Sequence, residues 1–316
     1  MAYVPKNPAI AMRDGLSPSC LALPRLHEVP WPSLLDHLAQ RLPRIGRDEW
    51  ARRLAQGLVL GEDGQPLALD APYVNGTRIY YWRDLPEEAP IPFAAQVLFE
   101  DEHLVVADKP HFLPVTPGGR YVKETLLVRL KAQLRCPDLS PLHRIDRETA
   151  GLVLLSKRPQ DRDAYQRLFR ERRVDKGYQA IASWRADLAF PLTRCSHIRE
   201  DEQAFYRMRE SRPDEGLAPN SETHITLAER RGDWAMYRLQ PVTGKRHQLR
   251  VHMWSLGLPL LGDQFYPTVR RAPGEAEDFA EPLRLLAKDI ALTDPVTGRD
   301  RRFQSQITLD WPQVGA

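Results

Sequence analysis

The stretch Pro141 to Leu155, PLHRIDRETAGLVLL, sets ionisable side chains directly against an apolar run. Asp146 stands between Arg144 and Arg147, with His143 before it and Glu148 and Thr149 after it. Cations this close lower a carboxyl pKa, so Asp146 is expected to stay ionised. An ionised carboxylate at the mouth of a buried strand can act as a nucleophile or as a base. The plain alternative is an Arg–Asp pair on a surface loop. A second constellation, VTGKRHQLRVHM from Val242 to Met253, carries Lys245, Arg246, His247, Gln248, Arg250 and His252. On a helix entered after the Thr243-Gly244 turn, Arg246 and Arg250 would share one face, a turn apart. That face could grip phosphate or pair with a buried carboxylate. Otherwise it is a solvated basic helix. The third is Lys176-Gly177-Tyr178 ahead of an alternating segment. A lone tyrosine there is ordinarily a core ring with its hydroxyl at the edge.

These groups need elements to hold them. GLVLLS (151–156) suits a central strand. DAYQRLFRERR (163–173) reads as a helix with a basic face carrying Arg167, Arg170, Arg172 and Arg173, and KGYQAIASW (176–184) as a strand. QVLFEDEHLVVADKP holds two strand-like segments, and LLVRLKAQL (126–134) is an amphipathic helix. The run from Trp234 to Asp263 reads strand, turn, helix, whereas polar residues 199–221 read as loop. Ahead of all this lies a smaller unit. Residues 1–30 are Pro-rich and predict a loose arm. Residues 33–42 and Asp48 to Gln56 predict two short helices, and EDG and NG split the following apolar runs like a hairpin. With Arg47, Arg52 and Arg53 expected to be exposed, this is a compact basic module, followed by a linker at 84–92.

A chain of 316 residues has room for one large domain or two modest ones. At 42% hydrophobic and 28% charged it can build a core and is not a disordered chain. A net charge of +3 is compatible with an anionic partner without requiring one. Three scattered cysteines make neither a disulfide framework nor a Cys-based zinc site. No run of 18 apolar residues spans a membrane, and the N-terminus lacks a signal-peptide apolar region. A soluble cytoplasmic protein is the expectation.

HRIDRETAG, KGYQA, TGKRHQLRVH and LLGD, in that order, resemble the RluA-type pseudouridine synthases. The family's first motif has the form H-R-L-D-x-x-T-S-G, and the third T-G-R-x-H-Q-L-R-x-H. DEHLVVADKP (101–110) and LAKDIALTDPVTG (286–298) extend the likeness over about residues 93–311. The resemblance implies an α+β fold: a mixed, mostly antiparallel central sheet with flanking helices and a central cleft, over 93–313. Residues 31–84 resemble a degenerate S4-like RNA-binding module.

The resemblance implies isomerisation of uridine to pseudouridine in structured RNA, ribosomal or transfer. Asp146 falls on the catalytic aspartate, Tyr178 on the tyrosine that packs on the uracil, and Arg250 on the partner of the aspartate. Arg144 falls on the arginine that displaces the base. His143, Arg147, Thr149, Lys245, Arg246, His247, Gln248 and His252 are expected substrate contacts. No redox step and no added water occur, so no cofactor and no metal are expected. Neither a membrane nor DNA is an expected partner, and the chain is expected to be a monomer. Ile145 replaces the usual Leu, Ala150 the usual Ser and Asp108 a common Asn; Lys245-Arg246 also departs from the usual pair. Two rivals make different demands. A non-catalytic RNA-binding protein on the same fold has no use for Asp146, Tyr178 and Arg250 together. A metal-dependent phosphodiesterase built on His143, Asp146, Glu148 and His252 needs convergent carboxylates.

Overall fold

A computed structural model describes residues 7–312 apart from 8, 11, 13, 14, 44, 83–87, 203 and 271–277. Residues 84–87 of the expected linker and much of the expected arm therefore lie outside the described residues. The chain divides into two units, Met1–Glu88 and Ala89–Ala316.

In the first unit, α1 (Leu34–Arg41) starts at Ser33, whose hydroxyl accepts from the Asp36 N–H. α2 (Arg47–Ala55) follows. Leu34, Leu38, Trp50 and Leu54 bury their apolar faces against Val59 and Ile79 of a small sheet. Its strands β1 (Ser19–Ala22), β2 (Val59–Leu60) and β3 (Arg78–Tyr81) pair antiparallel in the order β1-β3-β2. β1 corrects the expectation of a loose arm over 1–30. A four-residue strand is too short to show a period, and its pairing with β3 is set by the fold. Arg53 is a second correction. It is 5% exposed, with its guanidinium over the Trp50 ring and its Nε donating to Glu49 Oε1 at 2.6 Å. Its alkyl stem covers apolar surface while the i,i+4 carboxylate takes the charge.

The second unit is built on a 10-stranded sheet. Its chain order runs β4 (Gln96–Glu100), β5 (Leu104–Lys109), α3 (Leu126–Gln133), β6 (Ser140–Pro141), β7 (Ala150–Ser156), α4 (Arg162–Arg170) and β8 (Asp175–Ser183). Then come β9 (Leu192–Ser196), β10 (Ile198–Asp201), β11 (Ala204–Glu210), β12 (Ser221–Arg231), β13 (Trp234–Pro241), α5 (Gln248–Ser255), β14 (Leu285–Thr293) and β15 (Asp300–Gln304). The sheet order is β4-β5-β7-β14-β8-β13-β12-β9, with β6 on β7 and β15 on β14. β7 and β14 run parallel and the other pairings are antiparallel, which is the mixed sheet expected.

The continuous apolar run of β7 follows from burial on both faces. Val153 and Leu155 face Leu126 and Leu130 of α3, whereas Leu152 and Leu154 face Tyr165 and Leu168 of α4. β7 enters the sheet through Gly151, at φ 111°, where a Cβ would lie 2.3 Å from the Ala287 carbonyl oxygen. Only glycine lets the strand approach β14 this closely, and Asp146 sits on the turn just before it.

Residues 199–221 correct the loop expectation. β10 and β11 form an antiparallel hairpin. Among its described residues, Ile198 and Met208 pack inward, against Val251 and Tyr266. Two inward residues among charged neighbours are too few to show alternation, and ion pairs such as Arg199–Glu215 at 2.6 Å brace the wet side. No described helix is long and apolar enough to cross a membrane.

Candidate active site

α5 carries Arg250, whose side chain is fully buried. Its Nε and one terminal nitrogen donate to the two oxygens of Asp263 at 2.9 and 2.6 Å. The other terminal nitrogen donates to Asp146 at 3.3 Å and lies 3.7 Å from Glu148. Asp263 is held in turn by the N–H groups of Phe265 and Tyr266, at 2.8 and 3.2 Å. The guanidinium also lies over the Phe265 ring, 5.0 Å from its centre. Asp263 therefore fixes Arg250, and Arg250 fixes Asp146.

Burial alone would raise the Asp146 carboxyl. His247, Arg250 and Arg246 more than offset this and hold it below the ordinary carboxylate value. Burial drops His247 itself to about 4, so that ring is neutral at pH 7 and Arg250 is the standing cation. Asp146 is 24% exposed, facing a cleft of about 560 Å³. Its environment is thus an ionised oxygen pair at the floor of a solvent-reached cavity.

The turn before β7 is held mainly by its backbone. The buried Lys109 ends β5 and donates from Nζ to the Pro110 carbonyl at 2.9 Å and the Arg147 carbonyl at 3.1 Å. Burial lowers it to about 7 against the pull of Glu148 and Asp146. His143 accepts from the Leu154 N–H at 3.1 Å and stacks on Phe169. Burial pushes it to about 3, which keeps Nε2 an acceptor.

The flanking-arginine expectation needs correction here. Arg147 turns away from the cleft, donating from Nε to Glu148 at 3.0 Å and from a terminal nitrogen to the Tyr121 hydroxyl at 3.2 Å. Arg144 lines the cleft but is not among the cations that set the Asp146 charge. Neighbours in sequence point in different directions from a tight turn, and the counter-ion comes from 104 residues away.

Tyr178 on β8 lines the cleft, and burial with the Asp146 charge raises its hydroxyl, so it stays a neutral phenol. Thr149 and Lys245 also line it. Gln248 shapes the wall: its Oε1 accepts from Thr243 Oγ1 at 2.7 Å and the Lys245 N–H at 3.0 Å. His247 precedes α5 in the left-handed conformation, φ 54°, with Nδ1 against the Tyr266 hydroxyl at 3.1 Å. Because α5 starts at Gln248, Arg246 lies outside the helix and donates to the Tyr206 carbonyl at 2.8 Å; it does not share a face with Arg250. His252 is a further correction. It is buried away from the cleft, bonded to Thr223 at 2.9 Å and to Ser196 and Ser221 at 3.0 Å each. Five residues beyond His247 and so on a different face of α5, it points into the packing between α5 and the sheet.

A family profile described as RNA pseudouridylate synthase matches residues 103–255. An uncharacterised RNA pseudouridine synthase of Synechocystis is 33% identical over 233 residues, 74% of this chain and 79% of that protein. The dual-specificity RNA pseudouridine synthase RluA of Vibrio cholerae is 33% identical over 204 residues, 63% of this chain and 77% of that protein. The chain belongs to the RluA-type RNA pseudouridine synthases. Among solved structures, human RNA pseudouridylate synthase domain containing 1 shares the fold, at TM-score 0.56 and 22% identity over 70% of this chain and 86% of that one. Human RNA pseudouridylate synthase domain containing 4 gives TM-score 0.50 at 27% identity, over 67% and 88%.

This pseudouridine synthase is therefore an isomerase acting on uridine in RNA. Its site brings together Asp146, Arg250, Tyr178, Arg144, His143, Thr149, Lys245, His247 and Gln248. It leaves Arg147, Arg246 and His252 outside the cleft lining. Sequence reasoning missed Asp263 and Lys109 as site residues, although LLGD and DKP were both on view. A Gly-Asp pair after a helix reads as a turn, and a Lys before Pro as a strand end. The carboxylates that a metal site would need do converge, but on the Arg250 guanidinium. Among the described residues no group of His, Cys, Asp or Glu is set to hold a metal ion.

Proposed function

We propose that Asp146 is the catalytic carboxylate of the isomerisation, and that the target uridine enters the cleft with its base against Tyr178. The observation that carries this is one ionised, partly exposed carboxylate locked to a buried arginine at the cleft floor. The reaction breaks the C1′–N1 bond and forms C1′–C5; C5 loses a proton and N1 gains one, so nothing is added overall. Asp146 starts it at the ribose. Tyr178, a neutral phenol, packs on the uracil and offers a hydroxyl to it.

A paired or stacked uridine cannot reach the floor, so it must flip out, at a cost of a few kcal/mol. Arg144, exposed on the Asp146 turn, fills the gap it leaves, and stacking on Tyr178 offsets part of the cost. The substrate is a uridine in ribosomal or transfer RNA. The relatives support this breadth: one is named dual-specificity, and a Haemophilus influenzae relative at 28% identity is named for the large ribosomal subunit.

The test is a pseudouridine map of total host RNA with and without the gene, rescued by wild type or by Asp146→Asn. One or a few sites vanish and only wild type restores them, which names the RNA as well. Rescue by the Asn variant would sink the role of Asp146 and favour a binding role.

A further inference from the structure

Cations in this unit mostly have partners. Arg170 pairs with Asp163 at 2.8 Å, Arg301 with Asp101 at 2.8 Å and Lys157 with Glu100 at 2.6 Å. Arg172 and Lys176, both lining the cleft, have no side-chain hydrogen bond or ion pair among the described residues. Arg172 stands just past α4 at φ 58°, a left-handed conformation that a non-glycine residue rarely adopts. Lys176 is half-buried on β8, two residues before Tyr178. Residues two apart on a strand share a face, so its stem starts about 7 Å from that of Tyr178. Burial and the Arg172 charge both lower the Lys176 ammonium. A half-buried ammonium beside a guanidinium, with no carboxylate paired to either among the described residues, is unfavourable until an anion joins them.

We propose that Arg172 and Lys176 form a phosphate subsite that holds the backbone phosphate of the target nucleotide itself. The spacing supports its own phosphate, because a nucleoside with its base on Tyr178 carries its phosphate to one side by about the separation of the two side chains. This rests on the reading that the flipped uridine packs on Tyr178. It adds that Arg172 and Lys176 fix the depth of the nucleotide, while Asp146 does the chemistry.

Two arms test it with Arg172→Gln and Lys176→Gln. In the first, pseudouridine formation is followed on total RNA from cells lacking the gene. Each variant raises KM roughly tenfold and leaves kcat within about twofold. The salt slope of log kcat/KM falls by about 0.7 per charge removed, and Lys176→Arg restores it. In the second, inorganic phosphate raises the Tm of wild type above a chloride control of equal ionic strength, and does not do so in the double variant. An unchanged salt slope, a loss confined to kcat, or equal phosphate stabilisation in the double variant overturns the subsite. If wild type makes no pseudouridine yet phosphate stabilises it through these residues, the catalytic reading fails and the subsite stands.

Discussion

Two groups of charges in the catalytic unit are treated in opposite ways. At the cleft floor, Asp146, Glu148 and Asp263 surround one buried guanidinium, with Asp263 held further by two backbone N–H groups. At the rim, Arg144, Arg172, Lys176 and Lys245 have no side-chain partner among the described residues. The floor is satisfied before substrate arrives, so its geometry and protonation are already those the reaction needs. The rim is unsatisfied, and its energy is released only on binding an anion. Pre-organisation and affinity are thus separated in space.

Breaking the floor should have the largest effect. Arg250→Met leaves Asp146, Glu148 and Asp263 without their shared cation. Removing one partner of a buried ion group costs about 3–5 kcal/mol, which a denaturant melt reads. With the cation gone, burial raises the Asp146 carboxyl. Any residual activity should then fail at a higher pH on the acid side than in wild type. An unchanged acid limb would mean that Arg250 does not hold the Asp146 charge.

A second break tests the buried neutral histidines, of which His143 and His247 line the cleft. Burial lowers His143 to about 3, and His111, His247 and His252 to about 4, from an ordinary 6.5. Each is neutral when folded but takes a proton once unfolded below 6.5. Their contribution to stability is full above that pH and is lost as pH falls toward 4. Tm should therefore drop steeply from pH 6.5 to 4.5, with protons taken up on unfolding. Calorimetry in buffers of different ionisation heat measures that uptake, and a flat Tm would refute it.

The smallest effect lies at the rim. Lys245 is exposed and lines the cleft. Lys245→Ala should raise KM a few-fold and leave kcat and Tm unchanged, since an exposed charge is worth roughly 1 kcal/mol or less. A kcat loss there would move Lys245 from rim to floor.

The contrast also explains what was legible. β7 was readable because two-sided burial demands an uninterrupted apolar run. Asp146 and Arg250 were readable through the motifs around them. Their pairing was readable only through the resemblance, which put Arg250 on the partner of the aspartate; local spacing named Arg144 and Arg147 instead, and only the fold brings α5 to the turn. Asp263 was hidden by its turn-like context. The β10–β11 hairpin was hidden because Ile198 and Met208 are buried among charged neighbours, too few to show an alternation. Arg53 and His252 were misread for a common reason: a polar side chain declares its type in sequence but not its direction.

Lys109 bears on how this site can change over generations. Its ammonium grips the carbonyls of Pro110 and Arg147, atoms that every residue type possesses. Substitutions at positions 110 or 147 alter side chains yet leave those acceptors in place. The turn bearing Asp146 can therefore drift in sequence without losing its anchor. That tolerance rests on a single codon, the one for Lys109.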